Sequence, residues 1–93
     1  YPLEIELCLA DHPAVRECAV LGVKMADQRM TTQAFIVAET GHAFGDVLTA
    51  ELQAFVKARL LPYKYPRIVT YVDDLPKTGS GKIDRQQLRE SIQ

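Results

Sequence analysis

Apolar residues crowd the start of the chain at Leu3, Ile5, Leu7, Cys8 and Leu9, and Pro13 closes the segment. Pro2 suits a first helical turn, and Glu4 and Glu6 complement the positive end of a helix. The pattern predicts a helix over 3–11. Val15–Val23 is rich in β-branched residues and predicts a strand, and the polar residues 24–31 predict a turn. Gln33–Glu39, built on Ala34-Phe35-Ile36-Val37, predicts a second strand that pairs with the first as a hairpin with a long loop. Gly41 to Gly45 reads as a further loop.

Helical spacing returns at Leu48, Leu52, Phe55, Val56 and Leu60. Thr49 is the expected N-cap, Lys57 and Arg59 complement the C-terminal end, and Pro62 is the expected stop. Residues 62–67 carry too much proline for regular structure. Ile68–Val72 alternates as a third strand, which Asp73-Asp74 closes. A loop of Thr, Gly, Ser, Gly and Lys leads to Asp84, the expected N-cap of a final helix. Gln87 stands at the third helical position of a capping box, and Ile83 and Leu88 at the positions of a hydrophobic staple. Helix, two strands, helix, strand and helix make a small α+β domain, a three-stranded sheet packed with helices.

Composition narrows the picture. The 93 residues, 47% apolar and 25% charged, suit one soluble globular domain over 1–93. No apolar run approaches the roughly 20 residues of a membrane-spanning helix, and the first residues lack a signal peptide's basic region and apolar core. Cys8 and Cys18 fall in apolar segments and read as buried free thiols, and no Cys or His pair has metal-ligand spacing. His12 and His42, beside Pro13 and Gly41, read as solvated loop residues. The formal charge of −1 is unevenly spread. From residue 57 onward eight basic residues face four acidic ones, which leaves −5 on the first 56. A basic C-terminal half can meet phosphates, although a mixed solvated surface has the same composition. Nucleic-acid binding has little support, because no basic stripe interleaves with aromatics.

One stretch carries chemistry: Pro76-Lys77-Thr78-Gly79-Ser80-Gly81-Lys82-Ile83-Asp84-Arg85. Its glycines allow unusual backbone angles, and the cap and staple root Lys82 where the loop ends. A compact ammonium on a flexible stem suits developing phosphate charge. The stretch is not the P-loop of nucleotide triphosphatases. That motif needs glycine at position 76, where Pro76 stands, and Ser or Thr after the lysine, where Ile83 stands. By composition alone a solvent-exposed loop with an incidental lysine is the readier reading, because Gly-Ser-Gly-Lys is common in loops.

The stretch Pro76–Ile83 resembles the last signature motif of the adenylate-forming (AMP-binding) superfamily: acyl-CoA synthetases, peptide-synthetase adenylation domains and luciferases. Further resemblances follow in family order. Pro2-x-Glu4-Ile5-Glu6 is similar to the end of the motif that opens the family's C-terminal domain. His12-Pro13-Ala14-Val15 and Cys18-Ala19-Val20 match its first helix-to-strand passage, Ala34-Phe35-Ile36-Val37 its second strand, and Tyr63-Lys64-x-Pro66-Arg67 its approach to the third. Leu61-Pro62-Tyr63-Lys64-Tyr65-Pro66-Arg67 and Val72-Asp73-Asp74-Leu75-Pro76-Lys77 look most like benzoate- and related aryl-CoA ligases. Short- or medium-chain acyl-CoA synthetases are the next subclass. A luciferase would usually end in a peroxisomal tripeptide, where this chain reads Ser91-Ile92-Gln93, and a peptide-synthetase adenylation domain would continue into a carrier domain.

The resemblance implies an ATP-dependent carboxylate–CoA ligase, cytoplasmic, whose large N-terminal domain binds ATP, Mg²⁺ and an aromatic acid. It implies that Lys82, on the active-site loop Thr78, Gly79, Ser80 and Gly81, reaches the carboxylate and α-phosphate. After adenylation the small domain rotates, and another face meets the active site for thioester formation with coenzyme A. Lys57, Lys64 and Arg67 are candidates for the phosphates of coenzyme A, and solvated or inter-domain roles suit them as well. Relatives also suggest acetylation of Lys82 by a lysine acetyltransferase. The family's hinge residue and the glycine-containing hairpin of its thiol tunnel lie upstream of the position matching Tyr1. Residues 1–93 alone are therefore expected to bind ATP poorly and to catalyse nothing measurable. A non-catalytic interaction module is the alternative of another class, though a glycine-rich loop around one lysine has no purpose there.

Overall fold

The computed structural model describes residues 2–41, 45–60 and 65–91. Helix α1 (Pro2–Ala10) leads into strand β1 (Val15–Lys24), a turn, and β2 (Met30–Ala38). Helix α2 (Asp46–Arg59), strand β3 (Ile68–Tyr71) and helix α3 (Arg85–Ser91) follow. The sheet has the order β1-β2-β3. β1 and β2 are antiparallel, from Val15 opposite Ala38 to Lys24 opposite Met30, with a register shift between Val15 and Glu17. β2 and β3 are parallel, Gln33 opposite Ile68 through Ile36 opposite Tyr71. Parallel neighbours need a crossover connection, and α2 supplies it.

Alternation along the strands divides the core in two. Val20, Ala34 and Ile36 face α1 and α2, where they pack with Ile5, Leu9, Leu48, Leu52 and Val56. Ala19, Leu21, Phe35 and Val37 face the opposite way and pack with Leu75, Leu88 and Ile83. Side chains of successive strand residues point to opposite faces, so one short sheet separates the two clusters. α1 and α2 therefore cover one face, and the 72–91 segment covers the other.

Several expectations are corrected. The hairpin loop is short: β2 starts at Met30, and the turn closes through Met25 N–H donating to Arg29 C=O (2.8 Å). Thr49 does not cap α2, which begins at Asp46 after Gly45, and no side-chain bond caps it. The Thr49 hydroxyl instead meets the Tyr71 hydroxyl at 2.9 Å and ties the helix to β3. β3 ends at Tyr71, one residue before the predicted limit. α2 ends at Arg59, with Leu60 N–H donating to Val56 C=O; the predicted stop at Pro62 lies outside the described residues.

His12 is buried, at 8% exposure, not solvated. Its Nδ1 accepts the Ala14 N–H at 3.0 Å, so the proton sits on Nε2, which donates to Glu51 2.9 Å away. The ring packs edge-on against Phe55. Pro13 does turn the chain here, but the turn lies on α2 instead of in solvent. His42 lies outside the described residues.

Cys8 and Cys18 are free and buried, as expected. Burial pushes both thiols up, Cys18 to about 12. Since the thiolate is the reactive form, neither is expected to react with iodoacetamide at pH 8 until the domain is unfolded. Because burial disfavours the Cys18 thiolate, the fold loses stability as pH rises above the ordinary thiol value of 9.0. The loss is complete once pH passes the folded value. Denaturant titrations at pH 8 and pH 11 are expected to show the loss, with the Cys18→Ala variant less sensitive.

Candidate active-site loop

The lysine-bearing loop is closed by backbone pairing at its base. Lys77 and Ile83 form an antiparallel bridge, and Asp84 N–H donates to Pro76 C=O at 2.8 Å. Above it Thr78 N–H donates to Lys82 C=O (2.7 Å), and Gly81 N–H to Thr78 C=O (3.0 Å). Gly81 has φ +85°, in the left-handed region that glycine enters without steric cost. An added Cβ would meet no atom within 4 Å there, so any cost of substitution is conformational. The Thr78 and Ser80 hydroxyls share a hydrogen bond of 3.0 Å across the tip. Thr78, Gly79, Ser80, Gly81 and Lys82 are all exposed. The predicted flexible approach is thus a small hairpin with an exposed tip.

The root is built as the sequence predicts, with one exception. Asp84 Oδ1 accepts the Gln87 N–H at 3.0 Å, which caps α3. The reciprocal half of the capping box is not made, because the Asp84 N–H already serves Pro76 C=O. Ile83 and Leu88 lie in one apolar cluster, as a staple requires.

Two lysines flank the loop in different states. Lys77 Nζ lies 2.7 Å from Glu17 on β1 and 3.9 Å from Asp74. The hydrogen bond to Glu17 pushes the Lys77 ammonium above its ordinary value. Lys82 makes no ion pair with any described residue and stands exposed. Its ammonium is available to an anion brought from outside.

The other predicted cations lie elsewhere. Lys57 Nζ sits 4.1 Å above the Tyr65 ring, and the Arg67 guanidinium carbon lies 5.6 Å from the same ring. Tyr65 packs on the α1/α2 side of the sheet, opposite the cluster that roots Lys82. Lys57 and Arg67 are therefore brought together, and neither joins the loop. Lys64 lies outside the described residues.

Sequence reasoning missed Glu6 and Arg85 as partners. Arg85 Nη1 and Nη2 donate to Glu6 Oε2 and Oε1, each at 2.6 Å, in a bidentate pair. This bonding raises the Arg85 guanidinium further. The available signal was the basic residue of the motif at position 85 and the acidic one at position 6; nothing in their spacing joins them.

Among the described residues no cluster of three or more His, Cys, Asp or Glu could hold a metal ion. Asp84 is engaged in its helix cap and Asp74 lies beside Lys77, so these two carboxylates form no cage for a cation. A shallow, mainly apolar groove of about 500 Å³ follows the outer edge of β1, lined by Leu3, Val20, Leu21, Gly22, Gln86 and the two arginines of α3. It contains none of residues 78–82.

Residues 4–82 match the family described as AMP-binding enzyme C-terminal domain. The benzoate–CoA ligase of Thauera aromatica is 48% identical over 90 residues, 97% of this chain and 17% of that enzyme. The 4-hydroxybutyrate–CoA ligase 1 of Metallosphaera sedula is 45% identical over 89 residues, 96% of this chain and 16% of that enzyme. A solved benzoate CoA ligase from Burkholderia xenovorans LB400 superposes with a TM-score of 0.87 at 50% identity, over 95% of this chain and 18% of that one. The chain thus spans less than a fifth of the length of these relatives.

Asp84→Ala removes the cap of a short helix and is expected to destabilise the domain by about 1 kcal/mol in urea denaturation. Gln87→Ala is expected to change stability by less than about 0.5 kcal/mol, since its side chain closes no box.

Proposed function

Because the chain belongs to the family of AMP-binding enzyme C-terminal domains, we propose that it is the mobile small domain of an AMP-forming acid–thiol ligase, with Lys82 as its catalytic residue. Residues 1–93 make up this one domain, and the ATP- and acid-binding domain precedes it in the same enzyme. The single observation that carries the reading is Lys82 itself, an exposed ammonium with no ion-pair partner among the described residues, on a hairpin fixed at its base.

In the first half-reaction a carboxylate oxygen attacks the α-phosphorus of ATP, giving an acyl-adenylate and releasing pyrophosphate. Lys82 stays protonated, orients the carboxylate and offsets the charge that grows on the α-phosphate oxygens. Thr78, Gly79, Ser80 and Gly81 present it. Mg²⁺ would be held by the preceding domain and neutralise phosphate charge there. In the second half-reaction the thiol sulfur of coenzyme A attacks the acyl carbon and AMP leaves. Lys82 takes no part in that step.

The two-sided core supports this division of labour. The Lys82 loop is rooted on one face of the sheet, and the cations around Tyr65 lie on the other. A rotation of the domain exchanges one face for the other at a common active site. Lys57, Arg67 and Lys64 are then the groups to meet the phosphates of coenzyme A.

Benzoate or another aromatic acid is the favoured substrate, on the strength of two benzoate–CoA ligases at 48% and 50% identity. The 4-hydroxybutyrate ligase at 45% keeps a short aliphatic acid as the second reading. We further propose a cytoplasmic place of action. Among the described residues no helix is long and apolar enough to cross a membrane. Acetylation of Lys82 by a lysine acetyltransferase would remove its charge and switch off adenylation.

In the intact synthetase Lys82→Ala is expected to lower acid-dependent ATP–pyrophosphate exchange by about 100-fold or more, the scale of one lost electrostatic stabiliser. Thioester formation from preformed benzoyl-adenylate is expected to stay within about twofold. Equal loss of both steps would count against the role. Acetyl-lysine installed at position 82 is expected to behave as alanine does. Lys57→Ala combined with Arg67→Ala is expected to raise KM for coenzyme A and leave pyrophosphate exchange unchanged.

A further inference from the structure

Glu6 is 12% exposed on its side chain, and both of its carboxylate oxygens are engaged. Oε1 and Oε2 accept the fork of Arg85, and Oε2 also accepts the Val20 N–H at 3.0 Å. The backbone carbonyl of Glu6 accepts the Cys18 thiol at 3.3 Å. One residue of α1 therefore holds both the edge of β1 and the first residue of α3.

Arg85 follows Lys82 closely, with only the staple residue Ile83 and the cap Asp84 between them. One turn on, Arg89 Nη1 donates to Gly22 C=O at 2.8 Å on the same edge of β1. Helix α3 has seven residues, and Leu88 is the buried one. So short a helix is marginal by itself and takes its orientation from these anchors. The far leg of the hairpin is held differently, by Lys77 to Glu17, a pair about one-third exposed on each side. A single ammonium contact of that kind fixes only distance, whereas the bidentate fork on Glu6 fixes direction as well, even with the Arg85 side chain 43% exposed.

We infer that Glu6 and Arg85 are a positioning pair for Lys82: the ion pair sets the direction of the α3 root, and so where the Lys82 ammonium stands during adenylation. This rests on the role proposed for Lys82 above. Neither residue touches substrate in this account.

The test is a double-mutant cycle in the intact synthetase, with both half-reactions measured separately. Glu6→Gln keeps an oxygen for the Val20 N–H and removes the charge. It is expected to lower kcat of pyrophosphate exchange about tenfold with KM for ATP within twofold, and to spare thioester formation from preformed acyl-adenylate. Arg85→Lys keeps charge without the fork and is expected to lose about threefold in the same step. In a Lys82→Ala background Glu6→Gln is expected to cost nothing more, because the group it positions is gone. Asp27→Asn, at an exposed pair in the β1–β2 turn, is the control and is expected to leave both steps unchanged. Retained thioester formation reports that the domain is folded. Equal loss of both half-reactions, additive loss in the Lys82→Ala background, or unchanged pyrophosphate exchange in Glu6→Gln each overturns the inference. If Lys82→Ala itself leaves adenylation intact, the role of Lys82 fails first, and that result is distinct from the others.

Discussion

The outer edge of β1 is the constraint around which the rest of the domain is arranged. An edge strand presents unpaired N–H and C=O groups, and a three-stranded sheet this small cannot leave them free without inviting another chain. Here the edge is closed by side chains. Glu6 accepts the Val20 N–H, and Arg89 donates to the Gly22 carbonyl. Both come from helices that have other duties, α1 in the main core and α3 beneath the lysine loop. Closing the edge and rooting the loop are thus one structural act, with the Glu6–Arg85 pair as the join.

The same economy appears in the two-faced core. With one sheet, residues of alternate parity serve two different layers: Ile36 faces α2, and Phe35 faces the segment that carries Leu75 and Leu88. Each layer supports a different charged surface, the Lys82 loop on one side and the cations around Tyr65 on the other. The sheet keeps them apart. A catalyst with two successive steps can use such a separation, because each step meets only the surface it needs.

Much of this was legible in the chain. Apolar spacing, β-branched runs and prolines placed the first two helices and the strands, and the cap at Asp84 and the staple at Ile83 and Leu88, which placed the last helix, were readable because they depend on neighbours in sequence. What escaped reading depends on neighbours in space. Thr49 has the chemistry of an N-cap, yet the turn at Gly45 starts α2 earlier and leaves the hydroxyl for Tyr71. His12 beside a proline looks like a loop residue, yet its turn packs on α2, where Glu51 and Phe55 take up both the ring's proton and its edge. The candidate site divides in the same way. Lys82 and its loop stood out by motif. The pairings of Lys77 with Glu17 and of Arg85 with Glu6 did not, since any carboxylate brought close by the fold would have served.

The join between α1 and α3 also orders events in the life of the chain. Glu6 and Arg85 are 79 positions apart, so almost the whole domain must be made before they can meet. Until then the Gly22 carbonyl has no Arg89 to meet it, and the carboxylate of Glu6 holds the Val20 N–H without its fork. A nascent chain, or one clipped ahead of α3, would carry a partly open strand edge beside the exposed Leu3 and Leu7. Such an edge pairs readily with its own kind. The contact that we infer to aim the lysine also holds α3, and with it Arg89, against that margin.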